Sequence, residues 1–371
     1  MTLDRVHMKN FRNYTDEMIM FDPGINVITG QNAQGKTALL EGIYLLSCGH
    51  SFRTRFDKEI ISFDCGNAKV SGDVSAQGRK LELEIALSAT SRKQISCNGV
   101  KRNANELSEL FRVVLFCPDD LNTIKDGASA RRRFLDMAIS QLRPAYAQLI
   151  SEYSRLYEQK KRILGDWREK PSLLSALDEY SASMCMCSAK IIRYRAAFSK
   201  RLAEVSQPIH SEFSGSGEEL LLSYVTISTV TDPLAPIDKI FREISEHQEK
   251  HKDAEIASGK ILTGTHKDEL DIKINGVSAR THASQGQMRT SALSLKMAER
   301  EISYQDTGET PVLLLDDVLS ELDPKRQEFV LNRIGGGQTL ITCCEDEQIK
   351  KRTGGKVIMV SGGRIVKADD N

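Results

Sequence analysis

Apolar positions along the chain fall into three kinds of run. The first kind is short and unbroken. Residues 24–30, GINVITG, form a β-rich run that ends in glycine. Residues 312–315, VLLL, form another that delivers Asp316 and Asp317 at its C-terminal end, and TLITCC at 339–344 is a third. Runs of this length and composition predict buried strands. The second kind has helical spacing. ALLEGIYLL follows the first strand after a glycine-rich stretch, and Met288, Ala292, Leu295 and Ala298 recur at helical steps before the acidic strand. The third kind is a pair of long rows stepping alternately by four and three residues. One contains Leu135, Ile139, Leu142, Tyr146, Leu149, Tyr153 and Leu156, and Ile163 continues it after a lysine. The other contains Leu177, Tyr180, Met184, Cys187, Ile191, Tyr194, Phe198, Leu202 and Val205. Gly165 and Pro171 supply a turn between them, so the rows predict two helices packed antiparallel into an arm of about 40 Å. Pro144 predicts a kink or a restart in the first helix.

The stretch between the first strand and its helix carries chemistry. TGQNAQGKT, residues 29–37, places G-x-x-x-x-G-K-T between a strand and a helix. Gly30, Gln31, Asn32, Ala33, Gln34 and Gly35 provide a loop whose backbone N–H groups turn inward on phosphates, with the helix N-terminus behind them. Lys36 is placed for the β/γ-phosphates and Thr37 for Mg²⁺. The acidic strand supplies the partner groups. Asp316 suits the Mg²⁺ shell, and Asp317 is placed to orient or deprotonate an attacking water. Residues 283–290, ASQGQMRT, lead a glycine-containing turn into the Ala/Leu-rich helix. Ser284 suits an N-cap, Gly286 permits close approach of the backbone, and Gln287 belongs to the same turn. No acidic residue stands in that first turn, which leaves its N–H groups for an external anion.

This order of phosphate loop, SQGQ, acidic strand and then SELD at 320–323 resembles the ABC and SMC class of ATPases. In that class the signature binds the γ-phosphate held on the partner subunit's phosphate loop, and the D-loop faces the dyad of a head-to-head dimer. The resemblance implies ATP and Mg²⁺ as ligands and an ATP-dependent homodimer.

Composition narrows the partners without choosing among them. The chain has 371 residues, enough for two compact units, and its 51 Lys and Arg balance 51 Asp and Glu. DNA binding therefore requires local basic patches, for which Lys9, Arg12, Arg53, Arg55, Arg131, Arg132 and Arg133 are candidates, with Lys160, Lys161 and Arg162 on the arm. Arg132 or Arg133 could equally pair with Asp119 and Asp120. Eight cysteines at 48, 65, 97, 117, 185, 187, 343 and 344 include no Cys-x-x-Cys pair, which favours buried thiols in a reducing compartment over a metal site. No apolar run approaches the ~18 residues of a membrane span, and no signal core opens the chain, so a cytoplasmic protein is expected.

Lys36 and Asp316 stand 280 positions apart, so a segment is inserted between them. The expected fold is an α/β, ABC-type P-loop ATPase head, a mixed sheet with helices, from residues 1–120 and 260–371, interrupted by a helical lobe at 121–259 that carries the arm. At finer grain the chain resembles the RecF family of bacterial DNA recombination and repair proteins. NFRNY at 10–14, GHSFRT at 49–54, FCPDDL at 116–121, RRRFLD at 131–136, GTHKDEL at 264–270, SQGQMR and LLLDDVLSELD at 313–323 carry that resemblance. It implies cytoplasmic, nucleoid-associated work on gapped or stalled DNA, in recombinational repair, replication restart and SOS induction, with RecO and RecR as mediator partners that load recombinase. Thr265 and Glu269 depart from the family's usual proline and aspartate, which leaves His266 an active-site-edge role. No histidine follows TLITCC, and Thr342 stands where ABC ATPases place a switch histidine. The competing readings are an ABC-type transporter subunit and a monomeric P-loop phosphotransferase; a long helical arm argues against the first, a signature and D-loop against the second.

Overall fold

The computed structural model describes residues 1–54, 56–215, 217–344 and 353–369. They form two compact units, residues 1–121 with 295–371, and residues 122–294.

The first unit contains two six-stranded sheets. One is antiparallel and runs in the order Tyr14–Met20, Thr2–Phe11, Asn67–Ala76, Arg79–Ser88, Gln94–Cys97, Val100–Lys101. Its strand Asn67–Ala76 alternates buried and less buried residues, as a sheet covered on one face requires. The other sheet runs Arg364–Asp369, Lys356–Ser361, Ile25–Thr29, Thr339–Cys343, Val312–Asp316, Val113–Phe116. Its inner pairings are parallel, and the hairpin at one edge is antiparallel. The apolar runs of the sequence fall on its central strands, where Ile28, Leu313, Leu314, Leu315, Leu340 and Ile341 are fully buried.

The helix Lys36–Cys48 packs against strands of both sheets. It is apolar on nearly every side, with Leu39, Leu40, Ile43, Leu45 and Leu46 fully buried, and such a helix has to be covered all round. Gly42 makes room for the antiparallel sheet, since a Cβ there would lie 2.3 Å from Met8 Cε. The fully buried Gln338 joins the two layers. Its Oε1 accepts from Leu3 N at 2.7 Å and its Nε2 donates to Leu3 O at 2.8 Å.

The second unit carries the long helices Ala128–Leu142, Pro144–Asp166, Leu177–Ser214 and Ile237–Ser258. Pro144 starts a new helix at its first turn. Tyr146 packs on Tyr194 and Lys160 lies near Cys185, so the second and third helices run antiparallel. The arm differs from the predicted pair in having a third member. Leu177–Ser214 buries its seam on one side and Cys185, Ala189 and Ile192 on another, where Ile240 and Ile244 of the helix Ile237–Ser258 meet them. A three-stranded antiparallel sheet, Val277–Ser278, Glu269–Ile274 and Leu220–Val225, completes the unit. Its central strand pairs with 220–225 from Leu270↔Tyr224 to Ile274↔Leu220, and for that reason the second boundary between units falls at 294/295 where the sequence suggested 259/260.

Candidate functional site

The phosphate loop leaves the C-terminal end of the central strand Ile25–Thr29 and enters the helix Lys36–Cys48. Its backbone is demanding. Gly30 has φ 151°, and a Cβ there would lie 2.3 Å from the carbonyl oxygen of Val360. Gly35 has φ 120°, with Asn13 and Tyr14 within 3.1 Å of where its Cβ would be. Both positions require glycine.

Two distant segments hold the loop in this shape. Asn13 Nδ2 donates to Gln34 O at 2.9 Å and Tyr14 Oη donates to Gly35 O at 3.1 Å, which gives NFRNY a physical role. From the other side Gly363 N donates to Gln34 O and Gly362 N to Gln34 Oε1. Neither contact was legible in sequence, because both partners lie outside the motif.

Lys36 Nζ donates to Gly30 O at 2.8 Å and Gln31 O at 3.1 Å, and approaches Cys344 Sγ at 3.8 Å. Cys344 is exposed, unlike the buried thiols expected, and bonds Asn32 Oδ1 at 3.0 Å. None of the eight cysteines forms a disulfide.

The acidic strand meets the loop as its sequence predicts. Thr37 Oγ1 donates to Asp316 Oδ1 at 3.0 Å, and Thr342 Oγ1 donates to the same oxygen at 2.9 Å. Burial raises Asp316 above the usual carboxylate range, while hydrogen bonds from Thr342 and Thr37 oppose that shift. Asp317 has φ 52°, an uncommon conformation for a residue with a Cβ. Its N–H donates to Thr342 Oγ1 at 2.8 Å and its carbonyl accepts from Ser320 Oγ at 2.6 Å, so the segment that follows fixes the strained residue. Its carboxylate Oδ1 is buried and has no hydrogen-bond partner.

Lys36, Thr37, Asn32, Arg53 and Asp317 line one cleft of about 510 Å³. A hydroxyl and a carboxylate converging on one point, beside an unpartnered carboxylate oxygen, fit Mg²⁺. That ion takes one or two protein carboxylates and completes its shell with phosphate and water.

Beside the cleft lies the fully buried Glu41. Arg12 pairs with it through both Nε and Nη2, Ser51 donates to it, and Arg53 approaches at 3.6 Å. NFRNY and GHSFRT thus share one carboxylate.

The signature turn takes a definite form. Ser284 Oγ accepts from Gln287 N at 3.2 Å, and Gln287 Oε1 accepts from Ser284 N at 2.8 Å. This reciprocal box occupies the Gln287 N–H that the sequence left open, and Gln287 Nε2 donates to Glu218. Ser284 remains exposed, and Gly286 is half-buried.

The basic candidates divide. Arg131 is 3% exposed, pairs with Glu269 through two nitrogens, and donates to the carbonyls of Thr123, Ile124 and Asp126. It is not a DNA-binding group. Lys160 is likewise misassigned, being fully buried and paired with Glu255 at 2.7 Å. Arg132 donates to Asp268 O rather than to Asp119 or Asp120. Arg53, Arg133, Lys161 and Arg162 are exposed or partly so. Arg55 lies outside the described residues.

RRRFLD and GTHKDEL meet at a buried guanidinium. Arg195 pairs with Asp136 and Asp268, and Asp268 also accepts from Thr226 and Tyr224. His266 bonds Tyr153 Oη and stacks edgewise on Tyr157, which gives it a packing role.

Comparison with known proteins places these features. A family model described as the RecF/RecN/SMC N terminal domain matches residues 2–364. The DNA replication and repair protein RecF of Acetivibrio thermocellus is 38% identical, over 98% of this chain and 99% of that protein. A solved structure of the recombination mediator protein RecF-ATP in the RecFOR pathway has 31% identity and a TM-score of 0.90, covering 99% of this chain and 97% of that one. The Smc head domain from Pyrococcus furiosus, at 16% identity and TM-score 0.57, shares the fold. The architecture is therefore an ABC-type ATPase head interrupted by a helical lobe, and with identity of this extent the chain belongs to the RecF family.

Proposed function

We propose that the chain is an ATP-dependent DNA-binding switch of recombinational repair, replication restart and SOS induction. Magnesium-bound ATP occupies the phosphate-loop cleft, and two copies close on it. The observation that carries the reading is the grouping of Thr37, Asp316, Thr342 and the unpartnered Asp317 Oδ1 around the mouth of the loop. Lys36 exchanges its loop carbonyls for the β/γ-phosphates, and the backbone N–H groups of the loop bind the same oxygens. Thr37 and Asp316 would hold Mg²⁺, which would supply positive charge against the phosphates. Asp317 orients the attacking water.

The exposed Ser284 and the backbone of Gly286 and Gln287 reach the γ-phosphate on the partner's loop, the capping box opening as they engage. Hydrolysis is slow because Asp317 is one methylene shorter than glutamate and withdraws its oxygen by about 1 Å, a displacement that costs on the order of a hundredfold. DNA is contacted by the exposed Lys9, Arg53 and Arg133 and the half-buried Arg132, with Lys161 and Arg162 on the arm. The mediator proteins RecO and RecR are the partners that family membership favours. The work is cytoplasmic, in keeping with the absence, among the described residues, of any helix long and apolar enough to cross a membrane.

The test is light scattering of the full chain with ATP and with ADP. ATP alone should convert monomer to dimer, Ser284→Arg should keep ATP binding while losing the dimer, and Lys36→Met should lose both. A Ser284→Arg chain that still dimerises with ATP restricts that turn to helix capping.

A further inference from the structure

The signature turn rests with its own amides occupied, Ser284 N by Gln287 Oε1 and Gln287 N by Ser284 Oγ. The sequence places no acid in the first turn of the helix Gln285–Thr307, but the fold brings one there from 69 positions away. Glu218 Oε1 accepts from Gln287 Nε2 at 2.7 Å. A carboxylate beside a helix N-terminus stabilises the free helix and opposes the arrival of a second anion.

That carboxylate also decides which way the Gln287 amide faces. Only the NH₂ end can donate to it, so the oxygen end is turned onto Ser284 N. Without Glu218 the orientation would rest on the Ser284 amide alone. Glu218 thus reinforces the capping box from outside, through the one side chain that makes half of it.

Glu218 is itself fixed. Its second oxygen, Oε2, lies 3.3 Å from Nε2 of His210, a fully buried side chain of the helix Leu177–Ser214. The backbone that follows is pinned as well. Glu219 N donates to Asn275 Oδ1 at 2.8 Å, Glu219 O accepts from Asn275 N at 2.9 Å, and Leu220 N donates to Gln207 Oε1 at 2.6 Å. The carboxylate is therefore anchored next to the turn, and opening the capping box means drawing Gln287 away from a fixed negative charge.

We propose that Glu218 is an autoinhibitory latch on the signature turn. It keeps Ser284 and Gln287 bonded to each other until the γ-phosphate on a partner's loop displaces it, and so sets the ATP concentration at which two copies close. The inference rests on the reading of the chain as an ATP-dependent dimer and adds the element that restrains closure. A phosphate that takes the turn has to replace a charge-assisted hydrogen bond and settle near a carboxylate. ADP lacks the group that could do so. The latch lowers the fraction of chains whose turn is open, and the apparent ATP requirement rises by that fraction.

The experiment measures, by light scattering, the magnesium ATP concentration that dimerises half of the full chain, and follows hydrogen exchange of residues 284–287 without nucleotide. Glu218→Ala should dimerise at about tenfold lower ATP and exchange these amides faster, while binding ADP as tightly as wild type. Glu218→Gln keeps an acceptor for Gln287 Nε2 without the charge and should fall between the two. If Glu218→Ala fails to fold, which loss of ADP binding would reveal, Glu218→Gln carries the comparison, with a smaller drop in the ATP requirement expected. An ATP requirement equal to wild type overturns the latch. A higher requirement overturns it too, and makes Glu218 a support of the closed dimer. Wild-type chain that binds ATP yet stays monomeric overturns the dimer reading itself, and the latch with it.

Discussion

Thr342 shows how much one hydroxyl can arrange. It accepts from Asp317 N and donates to Asp316 Oδ1, so a single atom sets both the left-handed backbone of one acid and the carboxylate orientation of the other. Thr342→Val keeps the shape and removes both bonds. We expect ATP affinity within a few-fold of wild type and single-turnover hydrolysis slower by on the order of tenfold to a hundredfold; an unchanged rate would free Asp317 from this dependence. At this scale the sequence was readable where a motif's spacing brings side chains together, as it does Thr37 and Asp316, whose side chains meet at 3.0 Å. It was unreadable where burial decides. Arg131, Arg132 and Arg133 are consecutive on a helix, and steps of about 100° spread them over roughly 200° of its circumference. On a half-buried helix one of three must face inward. It is Arg131, which holds five acceptors there.

The helical rows were read correctly as seams, and Lys160 is the instructive exception. It falls four positions after Leu156 and three before Ile163, on the seam itself, and periodicity therefore placed it inside. There it meets Glu255 and Gln248 of the helix Ile237–Ser258, both buried. Glu255 also accepts from Leu262 N and Thr263 N, which fastens the chain after that helix. The third helix escaped sequence reading for the same reason. Its inward face runs Ile240, Ile244, Gln248 and Glu255, so the apolar pattern stops halfway along. Glu255→Ala should strand a buried ammonium and lower stability by about 3–5 kcal/mol, measured by urea unfolding followed through helical circular dichroism. Combining Lys160→Met with Glu255→Gln removes both charges, keeps an acceptor for the backbone, and should recover most of that loss. Equal losses in both chains would assign the effect to the loop contacts.

For the whole molecule, acid is the simplest probe of how the two units differ. His210, His247 and His266 all lie in residues 122–294, and burial lowers each of them, His266 to about 4. Each is neutral when folded and takes up a proton more readily when unfolded, so stability is complete above about pH 6.5 and falls as pH drops toward 4. A thermal midpoint that declines across this window, and declines less in His266→Gln, is the expected calorimetric result; identical pH profiles would exclude His266 as a source. The division into two units was legible from the long gap between the phosphate loop and its acids. The boundary was not, because a strand's allegiance is set by a partner some fifty residues away, as with Leu270↔Tyr224. The same non-local pairing has a consequence for synthesis. The strand Ile25–Thr29 carries the phosphate loop, and both of its neighbours, Thr339–Cys343 and Lys356–Ser361, are made long after it, beyond the whole inserted lobe. The helical lobe can fold while still on the ribosome. The nucleotide site cannot, because Ile25–Thr29 keeps both edges unpaired until those distant residues exist, the condition in which a strand is open to mispairing.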